Sequence, residues 1–72
     1  MTAEARKYHH WVEWSEDDQC FIGYCPDLSR GGMCHNEDPK LAYAELFDLI
    51  EWHIQRANEL GKQLPEPSVQ RA

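Results

Sequence analysis

Residues 38–61 read DPKLAYAELFDLIEWHIQRANELG, and both ends of this stretch carry the chemistry of a helix boundary. Asp38 offers a short carboxylate that can accept from the orphaned N–H groups of a first helical turn. Pro39 supplies a fixed φ at a position whose own N–H is not needed. Gly61 is suited to the left-handed conformation that ends a helix. Between them Leu46, Ile50, Ala57 and Leu60 follow three- and four-residue steps, with Leu49, His53 and Ile54 broadening the stripe. The spacing predicts one amphipathic helix from Pro39 to about Leu60. At about 1.5 Å per residue it is some 33 Å long, enough to lie across a small sheet.

Upstream of the helix the pattern changes to strands. Tyr8 to Trp14 (YHHWVEW) and Cys20 to Cys25 (CFIGYC) are dense in aromatic and β-branched residues, and the polar residues Ser15 to Gln19 separate them. They predict a β-hairpin with an acidic tip. Pro26-Asp27 ends the second strand, because proline cannot donate to a ladder and aspartate favours turns. Arg30-Gly31-Gly32 can turn the chain back into a short third strand, Gly32 to His35. Met1 to Lys7 is polar without pattern and reads as a frayed lead-in. Downstream, Leu64-Pro65-Glu66-Pro67 cannot extend the helix, so residues 64–69 can form only an extended arm or a short fourth edge strand.

The expected fold class is therefore α+β: a three-stranded antiparallel sheet with one long helix on one face, in the order β-β-β-α with an optional last β. The 72 residues leave room for a single domain spanning 1–72, ordered from about 8 to 67, and for no second domain. A core of this size supplies only about 3–5 kcal/mol of net stability, so the chain calls for a further stabiliser. Three cysteines cannot all pair, and the start MTAEARKYHHW lacks an apolar core followed by a cleavage site; both point to a reducing, cytoplasmic setting. No apolar run approaches the roughly 20 residues that cross a bilayer. With 13 acidic against 7 basic residues the net charge is −6, which repels nucleic acid and anionic lipid and favours a basic protein partner.

One helix covers one face of a sheet. An antiparallel sheet whose other face is wet should alternate apolar with polar residues. Here Tyr8, Val12 and Trp14 point one way and Trp11 the other, while Ile22 and Tyr24 oppose Phe21 and Cys25. Both faces are apolar, and either this is ordinary surface hydrophobicity or the uncovered face is an interface that also supplies the missing stabiliser, with a dimer or higher homo-oligomer expected. The tip Glu16-Asp17-Asp18 is by default a solvated turn; functionally, it can steer a positively charged protein.

Catalysis and metal binding find less support. Three cysteines and four histidines invite zinc, yet Cys20 and Cys25 fall on opposite faces of one strand, as do the neighbours Cys34 and His35 and the neighbours His9 and His10. No CxxC or HxxxH spacing is present. No cysteine stands at a helix N-terminus, where its thiolate would be stabilised. Carboxylate pairs can be drawn from Glu13, Asp27, Asp48 and Glu51, but thirteen acids make such pairings cheap, and His53 belongs to the helix flank. The expectation is a protein that is not an enzyme, with no catalytic residues, no metal and no cofactor.

Several features taken in order give a family resemblance. These are the Tyr8 strand, the turn Ser15-Glu16-Asp17-Asp18, the strand Phe21-Ile22-Gly23-Tyr24-Cys25 with its Pro26-Asp27-Leu28 exit, the Asp38-Pro39 helix start, and the ending Gly61-Lys62-Gln63-Leu64-Pro65-Glu66-Pro67. Over residues 8–67 the chain resembles the HicB-like antitoxins of HicAB toxin-antitoxin systems. The resemblance implies a partial ribonuclease H-like fold. It also implies a small basic HicA-like toxin as partner, one that cleaves mRNA through a histidine and whose RNA-binding and catalytic surface the antitoxin masks. Many members continue into a DNA-binding domain; here only Ser68 to Ala72 follow Pro67, so direct nucleic-acid binding is not expected. Asp38 stands where threonine is common. Under this reading the partner or oligomer interface draws on Trp11, Phe21 and Tyr24 as aromatic anchors, Glu13, Glu16, Asp17 and Asp18 as charges, and Leu64 on the tail. A second reading keeps the fold without a toxin, as a stand-alone oligomeric interaction module.

Overall fold

A computed structural model describes residues 6–65. Strands β1 (Trp11–Ser15), β2 (Cys20–Tyr24) and β3 (Gly32–Asn36) form an antiparallel meander in that spatial order, and helix α1 (Pro39–Leu60) packs on one face. This is the α+β layer expected from the sequence pattern.

The helix ends form as their chemistry dictates. Asp38 keeps an extended backbone, and its Oδ1 accepts from the N–H groups of Lys40 (2.8 Å) and Leu41 (3.4 Å). Its own N–H donates to Asn36 Oδ1 at 2.9 Å, which ties the helix start to the end of β3. At the other end Gly61 takes φ 70°, a left-handed conformation that costs glycine little. Its N–H donates to Asn58 O and the Lys62 N–H to Ala57 O, the paired bonds of a Schellman cap.

The buried stripe of α1 is Ala42, Leu46, Ile50 and Ile54, spaced by four residues. Leu60, expected to belong to it, is 53% exposed. A helix of about 33 Å outruns strands of five residues, which extend only about 17 Å, so its last turn has no sheet beneath it. The core is completed by Tyr8 and the fully buried Cys25, with Val12, Leu28, Met33, Cys34, Phe47 and Leu64 packed around them.

Register explains how closely the layers meet. Val12, Gly23 and Cys34 lie side by side across the three strands on the face under the helix. A Cβ on Gly23 would stand 2.8 Å from Cys34 Sγ and 3.1 Å from Leu46 Cβ, so only glycine lets α1 rest this close to β2. Between β2 and β3 the register shifts after Gly23, leaving Met33 as an extra residue in a bulge.

Four boundaries differ from expectation, the smallest being the end of β1, which runs to Ser15 rather than Trp14. β1 starts at Trp11 rather than Tyr8, because the segment before it finds partners outside the ladder: His10 Nδ1 bonds Tyr8 O at 2.6 Å and the Tyr8 hydroxyl donates to the distant Pro65 O at 2.7 Å. β2 stops at Tyr24, since Cys25 O accepts from the Leu28 and Ser29 N–H groups of the Pro26 turn instead of from a strand. β3 runs one residue further, to Asn36. Among the described residues there is no fourth strand: Lys62 to Pro65 joins no ladder, and residues 66–69 of the anticipated strand lie outside the described residues, as do residues 1–5 of the lead-in.

Candidate interaction surface

The face of the sheet turned away from α1 collects Trp11 and Glu13 from β1, Ile22 and Tyr24 from β2, and His35 from β3. Strand alternation put them there. Trp11 is paired with Tyr24 across the two strands, and their rings stack with centroids 5.2 Å apart at 24°. The His9 ring lies 4.9 Å from Trp11 on its other side. The Trp11 indole N–H donates to Glu13 Oε1 at 2.6 Å, so a carboxylate is held beside the aromatic pair. Glu13 sits opposite Ile22, which lies opposite His35. The result is a half-exposed apolar strip with one fixed negative charge, a combination suited to an apolar contact rimmed by a positive partner.

The acidic tip continues from the end of β1. It is a four-residue turn, Glu16 to Gln19, closed by the Gln19 N–H on Ser15 O at 2.8 Å, with Gln19 at φ 55°. Ser15 Oγ donates to Asp18 Oδ2 at 2.9 Å, and Gln19 Nε2 donates to Glu16 O at 2.7 Å. The Trp14 indole N–H reaches Glu16 Oε2 at 3.3 Å. All three acids of the tip are exposed. The turn therefore holds the Glu16 and Asp18 carboxylates in place by internal hydrogen bonds.

Six of the eight residues expected at an interface lie on these two features: Trp11, Glu13 and Tyr24 on the open face, and Glu16, Asp17 and Asp18 at the tip. Phe21 does not. Its register partner is Trp14 on the helix side of the sheet, where the two rings meet edge to face with centroids 5.2 Å apart. Leu64 is also accounted for internally, since it packs against the core beside Tyr8. Ile22 and His35 are the residues that the expected set lacked; the same odd-even alternation that separates Ile22 from Phe21 would have found both.

The thiols are held away from reactivity. Burial pushes the Cys25 thiol up from its ordinary value, only partly countered by the Leu28 backbone N–H. Burial likewise raises Cys34, with the Gly23 N–H opposing and the Glu45 carboxylate adding to the rise. Cys34 Sγ donates to Ala42 O at 3.3 Å. A nucleophilic cysteine needs the reverse, a lowered pKa and access. Among the described residues no three His, Cys, Asp or Glu side chains are grouped so as to hold a metal ion, and no helix is long and apolar enough to cross a membrane.

Comparison with protein-family models, with curated proteins and with solved structures finds no match for the chain.

Proposed function

We propose that the chain is a HicB-like antitoxin, a non-catalytic cytoplasmic protein that binds a small basic HicA-like mRNA-cleaving toxin and masks its RNA-binding and catalytic surface. The observation that carries this reading is the uncovered sheet face, where the stacked Trp11–Tyr24 pair stands beside the indole-bound Glu13 carboxylate. Aromatic residues that bury well are the usual anchors of protein interfaces, and acid around them selects a basic partner. The acidic tip at Glu16, Asp17 and Asp18 and the net charge of −6 support the same choice by accelerating encounter with a cation-rich surface. A protein that neutralises an RNA-cleaving toxin by occupying its positive groove needs no catalytic group of its own, and the raised thiol pKa values of the buried Cys25 and the half-buried Cys34 fit that role.

The test is to read the adjacent open reading frames for a small basic protein and to co-express it with this chain; the absence of any such frame would itself count against the reading. Relief of that protein's growth arrest and recovery of a complex on purification are the expected results. Unrelieved arrest together with separate purification of the two proteins would overturn the reading.

A further inference from the structure

The acidic tip and the open face of the sheet meet at a cavity. Its volume is about 410 Å³, within the range of roughly 300–1,000 Å³ of ligand pockets, and it is lined by Asp18, Cys20, Ile22, Gly32, Met33 and His35. Asp18 comes from the tip, Ile22 and His35 from the open face, and Gly32 and Met33 from the bulged start of β3. Glycine at position 32 shapes it. A Cβ there would stand 2.6 Å from Ile22 Cγ2, so the bare backbone is what lets Ile22 lean over β3 and form a wall.

Cys20 shares the strand parity of Ile22 and Tyr24, so it belongs to the open side and stands outside the cluster beneath α1. It is nevertheless only 7% exposed, and its thiol has no hydrogen-bond partner among the described residues. A thiol in this position offers a weak acceptor to whatever enters. The charge of the lining is one-sided. Asp18 is its only carboxylate, and no lysine or arginine faces it. Ser15 Oγ donates to Asp18 Oδ2 at 2.9 Å, which holds the carboxylate in place and leaves Oδ1 for a donor from outside.

We infer that this cavity is a socket for one arginine side chain of a protein partner, with the aliphatic stem along Ile22 and Met33 and the guanidinium on Asp18. An apolar wall beside one anchored carboxylate matches a long side chain with a cationic head. Arginine suits it better than lysine. Its guanidinium is planar, more weakly hydrated than an ammonium and rich in donors, so it gives up less water on entering a cleft and bonds the carboxylate and a second acceptor together. The net charge of −6 and the exposed acids of the tip favour the approach of such a group. The inference rests on the open face being a partner surface, and it specifies which side chain of a basic partner that face takes.

Titration of the full chain with N-acetyl-arginine amide, without any partner protein, tests it through backbone amide chemical shifts in NMR spectra. Saturable shifts are expected at Asp18, Cys20, Ile22, Gly32 and His35. The citrulline counterpart, which has the same shape without the charge, should bind about 10-fold or more weakly, and Asp18→Asn should lose a similar factor. That variant should keep a cooperative melt, because Asp18 is exposed and asparagine still offers Ser15 an acceptor. Gly32→Ala forces Ile22 to move without altering charge and should weaken binding as well. Shifts that never saturate, or that spread equally to the exposed Glu37, Glu45 and Glu59, would overturn the inference, as would citrulline binding as tightly as arginine. The titration and the co-expression test fail separately. A saturable arginine site with unrelieved growth arrest keeps the socket and removes the toxin, whereas relieved arrest without such a site removes the socket.

Discussion

Leu46 and Ile22 lie on opposite sides of β2, and their surroundings differ completely. Leu46 is fully buried against Gly23, in a layer where the sheet contributes small side chains (Val12, Gly23, Cys25, Cys34) and the helix contributes the large ones. Ile22 is half-exposed in a layer turned away from α1, where the sheet itself presents Trp11, Tyr24 and His35. Where α1 rests closest, at Leu46, the sheet presents the small residues Val12, Gly23 and Cys34; one aromatic pair, Trp14–Phe21, lies further along the helix side, and the other, Trp11–Tyr24, lies on the far side. The covered face holds the fold and, under the proposed function, the uncovered face holds the activity.

The comparison breaks most readily at Leu46. Leu46→Ala should cost about 2–5 kcal/mol, which approaches the whole net stability expected of so small a core, about 3–5 kcal/mol. Thermal circular dichroism should then show no cooperative transition; a melt close to the parent's would mean that the covered face is not what holds the chain together. Gly23→Ala attacks the same contact from the sheet side. With Cys34 Sγ only 2.8 Å from the added methyl group it should cost about 1–3 kcal/mol in urea denaturation.

Smaller effects sharpen the picture. Asp38→Ala removes the side-chain acceptor for two helix N–H groups and should cost about 1 kcal/mol by urea midpoint, with Asp38→Asn recovering most of it. The buried thiols add a pH dependence whose sign is fixed. Cys25 has a pKa raised above the unfolded value of 9.0, so the folded state holds its proton more tightly. Its contribution is complete below that value and is lost as the pH climbs through the raised one. The urea midpoint should therefore fall on going from neutral pH to about pH 10, and less steeply in Cys25→Ala.

How much of this was legible in the sequence depended on whether the deciding interaction was local. The Asp38-Pro39 start and the Gly61 stop of α1 are set by residues within one turn, and both fell where the pattern put them. The order of the strands and the fold class followed from periodicity in the same way. The start of β1 was not legible, because Tyr8 is taken out of the strand by a bond to Pro65, 57 residues away, and by the His10 ring. Leu60 looked like a stripe residue because its spacing is right; the length of the sheet beneath it is a tertiary fact. At the candidate surface, Trp11, Glu13 and Tyr24 were readable from alternation. Phe21 falls on the other face by that same alternation, and the inward packing of Leu64 was not legible, because a short tail that folds back on the core has the same sequence as one that reaches outward.

The most direct test of the division between the two faces uses Trp11→Ala combined with Tyr24→Ala, made in the full chain and assayed with the small basic toxin that the proposed function requires. Both side chains are only partly buried and lie outside the core, so the double variant should keep a cooperative melt while losing the complex and the relief of growth arrest. A folded double variant that binds and neutralises its partner as well as the parent does would contradict the account.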